Sequence, residues 1–252
     1  MTLACDGRSV VGRRRSNQDA MLLRPRSGVF AVADGMGGYE GGEVASALVV
    51  AAIDTFMGRL DIDPEGTWPQ RSRASLGPLA QAVDVALRAA DHAVRRERRG
   101  RLARMGSTAV LAWFHRGQLA LAHVGDSRLY RLRAQLELLT DDHSVAAELT
   151  RSGMPAEVVS PALLACLTRA IGMDGAAEPA LRLEPVCAGD RYLLCSDGLW
   201  GALDDDAIAD VLAHCRDDGR ACEALVEDAY HAGSTDNITA VVVTVHGVAR
   251  MP

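Results

Sequence analysis

Two strand-like runs in this chain end on the same step. Val29-Phe30-Ala31-Val32-Ala33 leads into Asp34-Gly35, and Tyr192-Leu193-Leu194-Cys195-Ser196 leads into Asp197-Gly198. The first run is apolar throughout, which suits a strand buried on both faces. Three more aspartates stand beside strands. Asp19 precedes Met21-Leu22-Leu23, Asp126 lies in Val124-Gly125-Asp126-Ser127 between two strands, and Asp236 precedes Asn237 and the run Ile238 to Val245. A single Asp-Gly step reads as a turn. Five aspartates at strand ends, two of them in Asp-Gly steps after similar runs, point to a shared site.

A strand end is a rigid mount for a ligand. Glycine beside the aspartate lets a backbone carbonyl approach a cation with no Cβ in the way. If the five carboxylates converge, they cannot all stay ionised without cations. The set is all oxygen, with no Cys or His cluster, and this favours Mg²⁺ or Mn²⁺ over Zn²⁺.

Periodicity places the elements around these residues. Strands are expected over Leu3 to Val11, at an edge, and over Met21 to Leu23 and Val29 to Ala33, flanking a turn at Pro25 to Gly28. Glu43 to Met57 is helical and apolar nearly all round, and Asp61 to Pro78 reads as a loop. Leu79 to Arg96 is an amphipathic helix, with Leu79, Ala82, Val83, Ala86, Leu87, Ala90 and Val94 in one stripe and Gln81, Asp84, Arg88, Asp91 and Arg95 opposite. Strands follow over Ser107 to Phe114, Gln118 to Val124 and Arg128 to Arg133, the first hairpin turning at His115-Arg116-Gly117. Val145 to Leu167 reads as short helices broken at Gly153, Pro155 and Pro161. Strands at Leu181 to Leu183 and Arg191 to Cys195, helices at Asp206 to His214 and Cys222 to His231, and a last strand at Ile238 to Val245 complete the order. Hairpin-linked strands with helices in pairs predict antiparallel sheets covered by helices, an α+β sandwich.

Composition narrows the chemistry. The chain has 252 residues, enough for one large domain or two small ones, and 48% hydrophobic residues, enough for a sizeable core without staples. All 27 basic residues are arginine, which excludes Schiff bases and phosphate-loop or kinase-type lysines. A net charge of −6 with no basic half argues against a nucleic-acid partner. Cys5, Cys166, Cys187, Cys195, Cys215 and Cys222 form no C-x-x-C pair, so reduced, buried thiols of a cytoplasmic protein are expected. Met1 to Arg8 holds no apolar signal region, and the apolar run Val44 to Ile53 is too short to span a bilayer. No membrane association is expected.

Eight collinear stretches make the pattern specific: Arg14-Arg15-Ser16-Asn17-Gln18-Asp19, Val32-Ala33-Asp34-Gly35-Met36-Gly37-Gly38, Gly106-Ser107-Thr108, Val124-Gly125-Asp126-Ser127-Arg128, Leu139-Thr140-Asp141-Asp142-His143-Ser144, Leu167-Thr168-Arg169-Ala170-Ile171-Gly172, Ser196-Asp197-Gly198-Leu199-Trp200 and Asp236-Asn237-Ile238-Thr239. The chain resembles the type 2C, metal-dependent protein phosphatase family in its short bacterial form, from Val10 to Val245. The resemblance implies one phosphatase domain over 1–252, a four-layer α-β-β-α sandwich of two antiparallel sheets flanked by helices. It makes Ser144 to Arg169 a flap insertion. Asp34 should bridge two metals, with the Gly35 carbonyl binding one and Asp197 and Asp236 completing the other. Asp19 should hold metal-bound water, Asp126 should belong to a third, weaker site, and Arg14 should hold the substrate phosphate. The implied activity is hydrolysis of phosphoserine and phosphothreonine in proteins by in-line attack of a hydroxide bridging two Mn²⁺ or Mg²⁺ ions. Arginine suits the phosphate because its fork matches phosphate oxygens.

Met36 occupies the slot where many eukaryotic relatives carry a histidine proposed as general acid, and Tyr39 stands where bacterial relatives often carry histidine. Ser160-Pro161 replaces a frequent His-Pro in the flap. The partners implied are phosphoproteins, substrates of or including a cognate Ser/Thr kinase, and the enzyme is expected to be a monomer. Two other readings remain at this point: a catalytically weak regulatory binding module of the same fold, and a phosphatase dedicated to one regulatory phosphoprotein. Elsewhere, the run Arg95, Arg96, Arg98, Arg99, Arg101 and Arg104 reads as a solvated helix end, with docking of an acidic partner as the alternative. Asp204-Asp205-Asp206 reads as a helix cap, with metal binding as the alternative, His143 as a hydrogen-bonded structural histidine, with a catalytic role as the alternative, and Trp200 as packing beside the site.

Overall fold

The computed structural model describes residues 1–37, 41–62, 77–154, 159–175 and 177–248. The strands are β1 (Thr2–Val10), β2 (Asp19–Arg24), β3 (Val29–Met36), β4 (Gly106–Ser107), β5 (Ala109–His115), β6 (Gln118–Val124), β7 (Arg128–Leu132), β8 (Leu136–Leu138), β9 (Ala180–Pro185), β10 (Arg191–Cys195) and β11 (Ile238–Gly247). The helices are α1 (Gly41–Ile62), α2 (Pro78–Glu97), α3 (Val145–Ser152), α4 (Pro161–Leu164), α5 (Asp197–Trp200), α6 (Asp205–His214) and α7 (Asp218–His231). One sheet runs β1-β11-β10-β7-β8; the other runs β2-β3-β5-β6-β9, with β4 also on β3. Their pairings are antiparallel.

Side-chain alternation sorts the strands into layers. In β3, Val29, Ala31 and Ala33 face the core beneath α1 and α2, while Phe30 and Val32 face the other sheet. In β10 and β11, Tyr192, Leu194, Val241 and Val243 face the middle layer, and Leu193, Cys195, Ala240 and Val242 face α6 and α7. The result is the expected α-β-β-α sandwich. Its middle layer is keyed by Phe114, whose ring meets Phe30 at 5.8 Å and Tyr192 at 4.9 Å, both edge-on.

Several elements differ from the sequence reading. The strand expected over Ser107 to Phe114 is two strands, because Thr108 turns its backbone and hydroxyl to Asp34 instead of continuing the ladder. His115 belongs to β5, and the hairpin turns on Arg116 and Gly117, both at positive φ, as two-residue hairpins require. β8 and α5 were not expected from periodicity, since three- and four-residue elements carry too little of it. α3 ends at Gly153, in the left-handed conformation, and Pro155 lies outside the described residues. Of the loop expected over Asp61 to Pro78, Asp61 and Ile62 end α1, Pro78 opens α2, and 63–76 lie outside the described residues. Cys195 and Cys222 are buried, but Cys166 and Cys187 are exposed, so burial of the thiols is only partial. Asp204 does cap α6, accepting from the Ala207 N–H at 2.9 Å.

The polar face of α2 is partly covered. Asp84 is fully buried, and Asp91 nearly so. Asp91 accepts from the Gly172 and Ala177 N–H groups at 2.8 and 3.3 Å and from Arg95 at 2.8 Å. Arg95 and Arg98 also donate to the Met173 and Gly172 carbonyls. These two arginines therefore bind the segment after Ile171 rather than forming a solvated helix end.

Candidate metal centre

Continuing the middle-layer alternation by one step past each strand's last apolar residue leads to polar groups at one end of the sandwich. Phe30 and Val32 lead to Asp34, Tyr192 and Leu194 to Ser196, and Val243 and Val241 to Thr239. Asp19 opens β2 directly opposite Asp34. The groups meet: Ser196 Oγ and Thr239 Oγ1 donate to Asp19 Oδ2 at 2.7 and 2.6 Å. Asp34 and Gly35 lie within β3, not at its end, and their backbone is bracketed by the next segment. Thr108 N and Ser107 Oγ donate to the Asp34 carbonyl at 2.8 and 2.9 Å, and the Asp34 N–H donates to Thr108 Oγ1 at 2.9 Å.

Neither Asp-Gly step is a turn. Gly35 is in a strand and Gly198 in α5. A Cβ on Gly35 would lie 1.9 Å from the Gly42 carbonyl oxygen, and one on Gly198 would lie 2.0 Å from that of Asn237. Glycine is needed because a second backbone crosses each aspartate at contact distance.

Asn237 joins the loop between β1 and β2 to the start of β11. Its Nδ2 donates to the Val11 and Ser16 carbonyls, each at 2.9 Å, and its Oδ1 accepts from the Gln18 N–H at 2.8 Å. That loop carries Arg14, whose Nη2 donates to Asp236 Oδ2 at 2.5 Å and whose Nε donates to the Thr235 carbonyl at 3.1 Å. On the far wall, Trp200 Nε1 donates to the Asp126 carbonyl at 3.0 Å, and the Arg128 guanidinium lies 3.5 Å from the centre of the Trp200 ring. Trp200 thus does more than fill space. His143 is buried and structural: its Nδ1 accepts from the Gly125 N–H at 3.1 Å, and its ring stacks on His123 at 4.8 Å. Burial, with His123 and Arg169 nearby, pushes its pKa down to about 3, so it stays neutral.

Arg14, Asp34, Gly35, Asp126, Asp197 and Asp236 line one cavity of about 850 Å³, together with Met36, Thr108, Cys166 and Asn237. Asp19 does not line that cavity; it is the cross-strand partner of Asp34. Burial and neighbouring carboxylates push Asp34 well above the usual carboxylate range. Burial raises Asp19 to about 6 despite its two hydroxyl donors, and burial with Asp197 and Asp142 raises Asp126 to about 7. Asp197 is raised by burial and by Asp236. Asp190, at the opposite end of β10, shows what a buried aspartate with partners does. Burial would raise it, but the Arg133 fork at 2.6 and 2.8 Å and the Cys187 N–H hold it below its ordinary value.

In the site, Asp236 has such a partner in Arg14, and Asp19 has two hydroxyl donors but no counter-charge. Asp19 Oδ1 and Asp197 Oδ1 are buried with no hydrogen bond. Orphaned anionic oxygens that repel one another fit hard divalent cations. Among the described residues, no three His, Cys, Asp or Glu side chains close on one point. Ions held here would therefore keep several waters, as Mg²⁺ does.

A pattern of the family described as Protein phosphatase 2C matches residues 6–229. The chain belongs to the protein phosphatase 2C family. It is 36% identical over 237 residues to the serine/threonine protein phosphatase PstP of Mycobacterium tuberculosis (strain H37Rv), covering 92% of this chain and 43% of PstP. The chain thus spans less than half the length of that curated relative. The serine/threonine phosphatase stp of Listeria monocytogenes (serotype 4b, strain F2365) is 31% identical over 222 residues, covering 85% of this chain and 83% of that protein. The crystal structure of the PstP catalytic domain with two manganese ions superposes with a TM-score of 0.81 at 34% identity, covering 97% of this chain and 99% of that one. PppA, a regulatory component of the type VI secretion system in Pseudomonas aeruginosa, superposes at 0.80 with 34% identity, covering 97% and 98%.

For this 2C-family chain, sequence reasoning missed Thr108, Ser196, Thr239 and Asn237 as supports of the site. The signal for Ser196 and Thr239 was present in the strand alternation. For Thr108 and Asn237, whose contacts cross between segments, no local signal exists. Tyr39 lies outside the described residues.

Proposed function

We propose that this protein is a metal-dependent phosphatase for phosphoserine and phosphothreonine in proteins. The observation that carries the reading is that Asp34, Asp126, Asp197 and Asp236 line one open cleft with Arg14, that Asp19 pairs with Asp34 across the sheet, and that Asp19 and Asp197 each keep an orphaned buried oxygen. Asp34, the Gly35 carbonyl, Asp197 and Asp236 would hold two Mn²⁺ or Mg²⁺ ions, and Asp126 a third and weaker one. The ion pair, when bound, supplies a hydroxide nucleophile at neutral pH and neutralises charge on the phosphoryl oxygens. Asp19, steadied by Ser196 and Thr239, orients water at the rear of the site. Arg14 binds the phosphate by its fork; a cation on Asp236 would release it from its present ion pair. The phosphate is thus held for in-line attack by water, with no covalent enzyme intermediate.

The described elements support one phosphatase domain over 1–252, with a flap at about 144–169 whose Cys166 and Leu167 reach the cleft wall. Its substrates would be phosphoproteins made by a cognate Ser/Thr kinase, or the kinase itself, met by a cytoplasmic monomer. Among the described residues no helix is long and apolar enough to cross a membrane. The presence of every carboxylate of the site favours an enzyme over a binding module. Purified protein should hydrolyse p-nitrophenyl phosphate and phosphothreonine peptides with Mn²⁺ or Mg²⁺ and lose that activity on chelation. Binding of phosphopeptide without turnover in Mn²⁺ would leave the binding module instead.

A further inference from the structure

Resting on the phosphatase reading, we propose that Arg15 and Arg104 form a subsite for carboxylates flanking the phosphorylated residue, so that the protein selects acidic phosphopeptides. Three arginines line the cleft: Arg14, Arg15 and Arg104. Arg14 is engaged with Asp236 and the Thr235 carbonyl. Arg15 and Arg104 are exposed, and neither has a hydrogen-bond or ion-pair partner among the described residues.

Their neighbours in the arginine run are used differently. Arg95 and Arg98 clamp the segment after Ile171, and Arg99 donates to the Arg96 carbonyl. Arg104 instead stands at the lip of the cleft on a fixed backbone. Met105 beside it is buried, and Gly37 packs so closely that a Cβ there would lie 2.6 Å from Met105 Cα and 2.7 Å from the Arg104 carbonyl oxygen. Arg104 is thereby pressed against the stretch that continues from Asp34-Gly35. The backbone of Arg15 is held as firmly, because Asn237 grips the Ser16 carbonyl next to it.

Two unpaired guanidiniums on rigid mounts beside a phosphate site are an anion receptor. The surrounding chain carries a net −6, and the site itself is lined with aspartates. An acidic peptide would be repelled by that field unless local cations met it. An arginine fork takes one carboxylate bidentately, which suits an Asp or Glu on either side of the phosphorylated residue.

The test is kcat/KM on phosphothreonine peptides of equal length with Asp/Glu, Ala/Ser or Arg flanks, with p-nitrophenyl phosphate as control. Anisotropy of fluorescein-labelled peptides bearing a non-hydrolysable phosphonate is measured in parallel on the Mn²⁺-loaded protein. Wild type should favour acidic over neutral flanks. Arg15→Gln and Arg104→Gln should each cut that preference about 5-fold, and Arg104→Glu should reverse it towards Arg flanks, all with p-nitrophenyl phosphate turnover unchanged. The preference should fade at about 0.5 M salt. Hydrolysis with equal kcat/KM on all three flanks overturns the subsite while leaving the phosphatase reading intact. Arg104-dependent binding of acidic peptides without any turnover supports the subsite and removes the phosphatase reading. A preference that appears only when the flank carries a second phosphate overturns the carboxylate assignment.

Discussion

Asp19 and Asp34 are direct cross-strand partners in the β2–β3 pair. Like charges opposite one another destabilise a sheet, and here both are half-buried and desolvated as well. Asp34 is raised by burial and, next, by Asp19, while Asp19 keeps an orphaned Oδ1. The fold builds this repulsion into two of its strands, and protons or cations relieve it.

Stability of the metal-free protein should therefore fall as pH rises. The folded-state values, about 6 for Asp19 and about 7 for Asp126, lie above the unfolded value of about 3.9. Between them the native state binds more protons than the unfolded state, so each deprotonation disfavours the fold. In chelator, Tm should be lower at about pH 7.5 than at about pH 5.5, and Asp126→Asn should flatten the upper part of that slope. Added Mn²⁺ should raise Tm more at the higher pH, where protons no longer compete. Thermal scans of wild type and Asp126→Asn decide it; a chelated protein that gains stability over this range contradicts the account.

Thr239→Val removes a hydroxyl that donates to Asp19 Oδ2 at 2.6 Å while keeping the side chain's shape. Loss of a group that orients a site carboxylate lowers metal affinity or activity about 10- to 100-fold. Mn²⁺ titration of p-nitrophenyl phosphate turnover, with far-UV circular dichroism as a fold control, should show that loss. An unchanged titration would mean that Ser196 alone suffices to hold Asp19.

Arg14→Ala should raise KM and lower kcat, with KM dominant if the guanidinium mainly binds phosphate. The substitution also frees Asp236 from its 2.5 Å ion pair. Mn²⁺ should consequently bind no more weakly than to wild type, even as phosphate affinity falls. Calorimetric Mn²⁺ binding and inhibition by inorganic phosphate separate the two effects.

Asp91→Ala should destabilise the fold by on the order of 2–3 kcal/mol, because it strands the Gly172 and Ala177 N–H groups and the Arg95 side chain. Denaturant unfolding measures the loss. The same variant should loosen the segment carrying Met173 along the cleft, visible as faster hydrogen exchange after Ile171. A loss below about 0.5 kcal/mol, within the range of ordinary surface changes, would show that the segment is held by other contacts.

Much of the site was legible in the sequence because strand alternation is a local property. A period of two assigns Phe30 and Val32 to one face and so carries Asp34 to the same face, whatever strand lies opposite. The run before Asp197 and the run after Asp236 announced buried strands in the same way. Amphipathic spacing placed the stripe of α2, although not the partners of its other face. What local pattern cannot encode is which distant segment arrives alongside. Asn237 grips a loop 219 residues away at Gln18. Thr108 interrupts its own strand to bracket Asp34, and Asp91 is buried only because the segment after Ile171 folds over it. The need for glycine in the two Asp-Gly steps is not local either: their glycines answer to the Gly42 and Asn237 backbones, which only sheet order and helix placement bring near. The sequence by itself determined the faces, the strand runs and the supply of carboxylates. The tertiary structure decided which of those carboxylates would be left without a counter-charge, since pairing depends on neighbours that are close in space and remote in the chain.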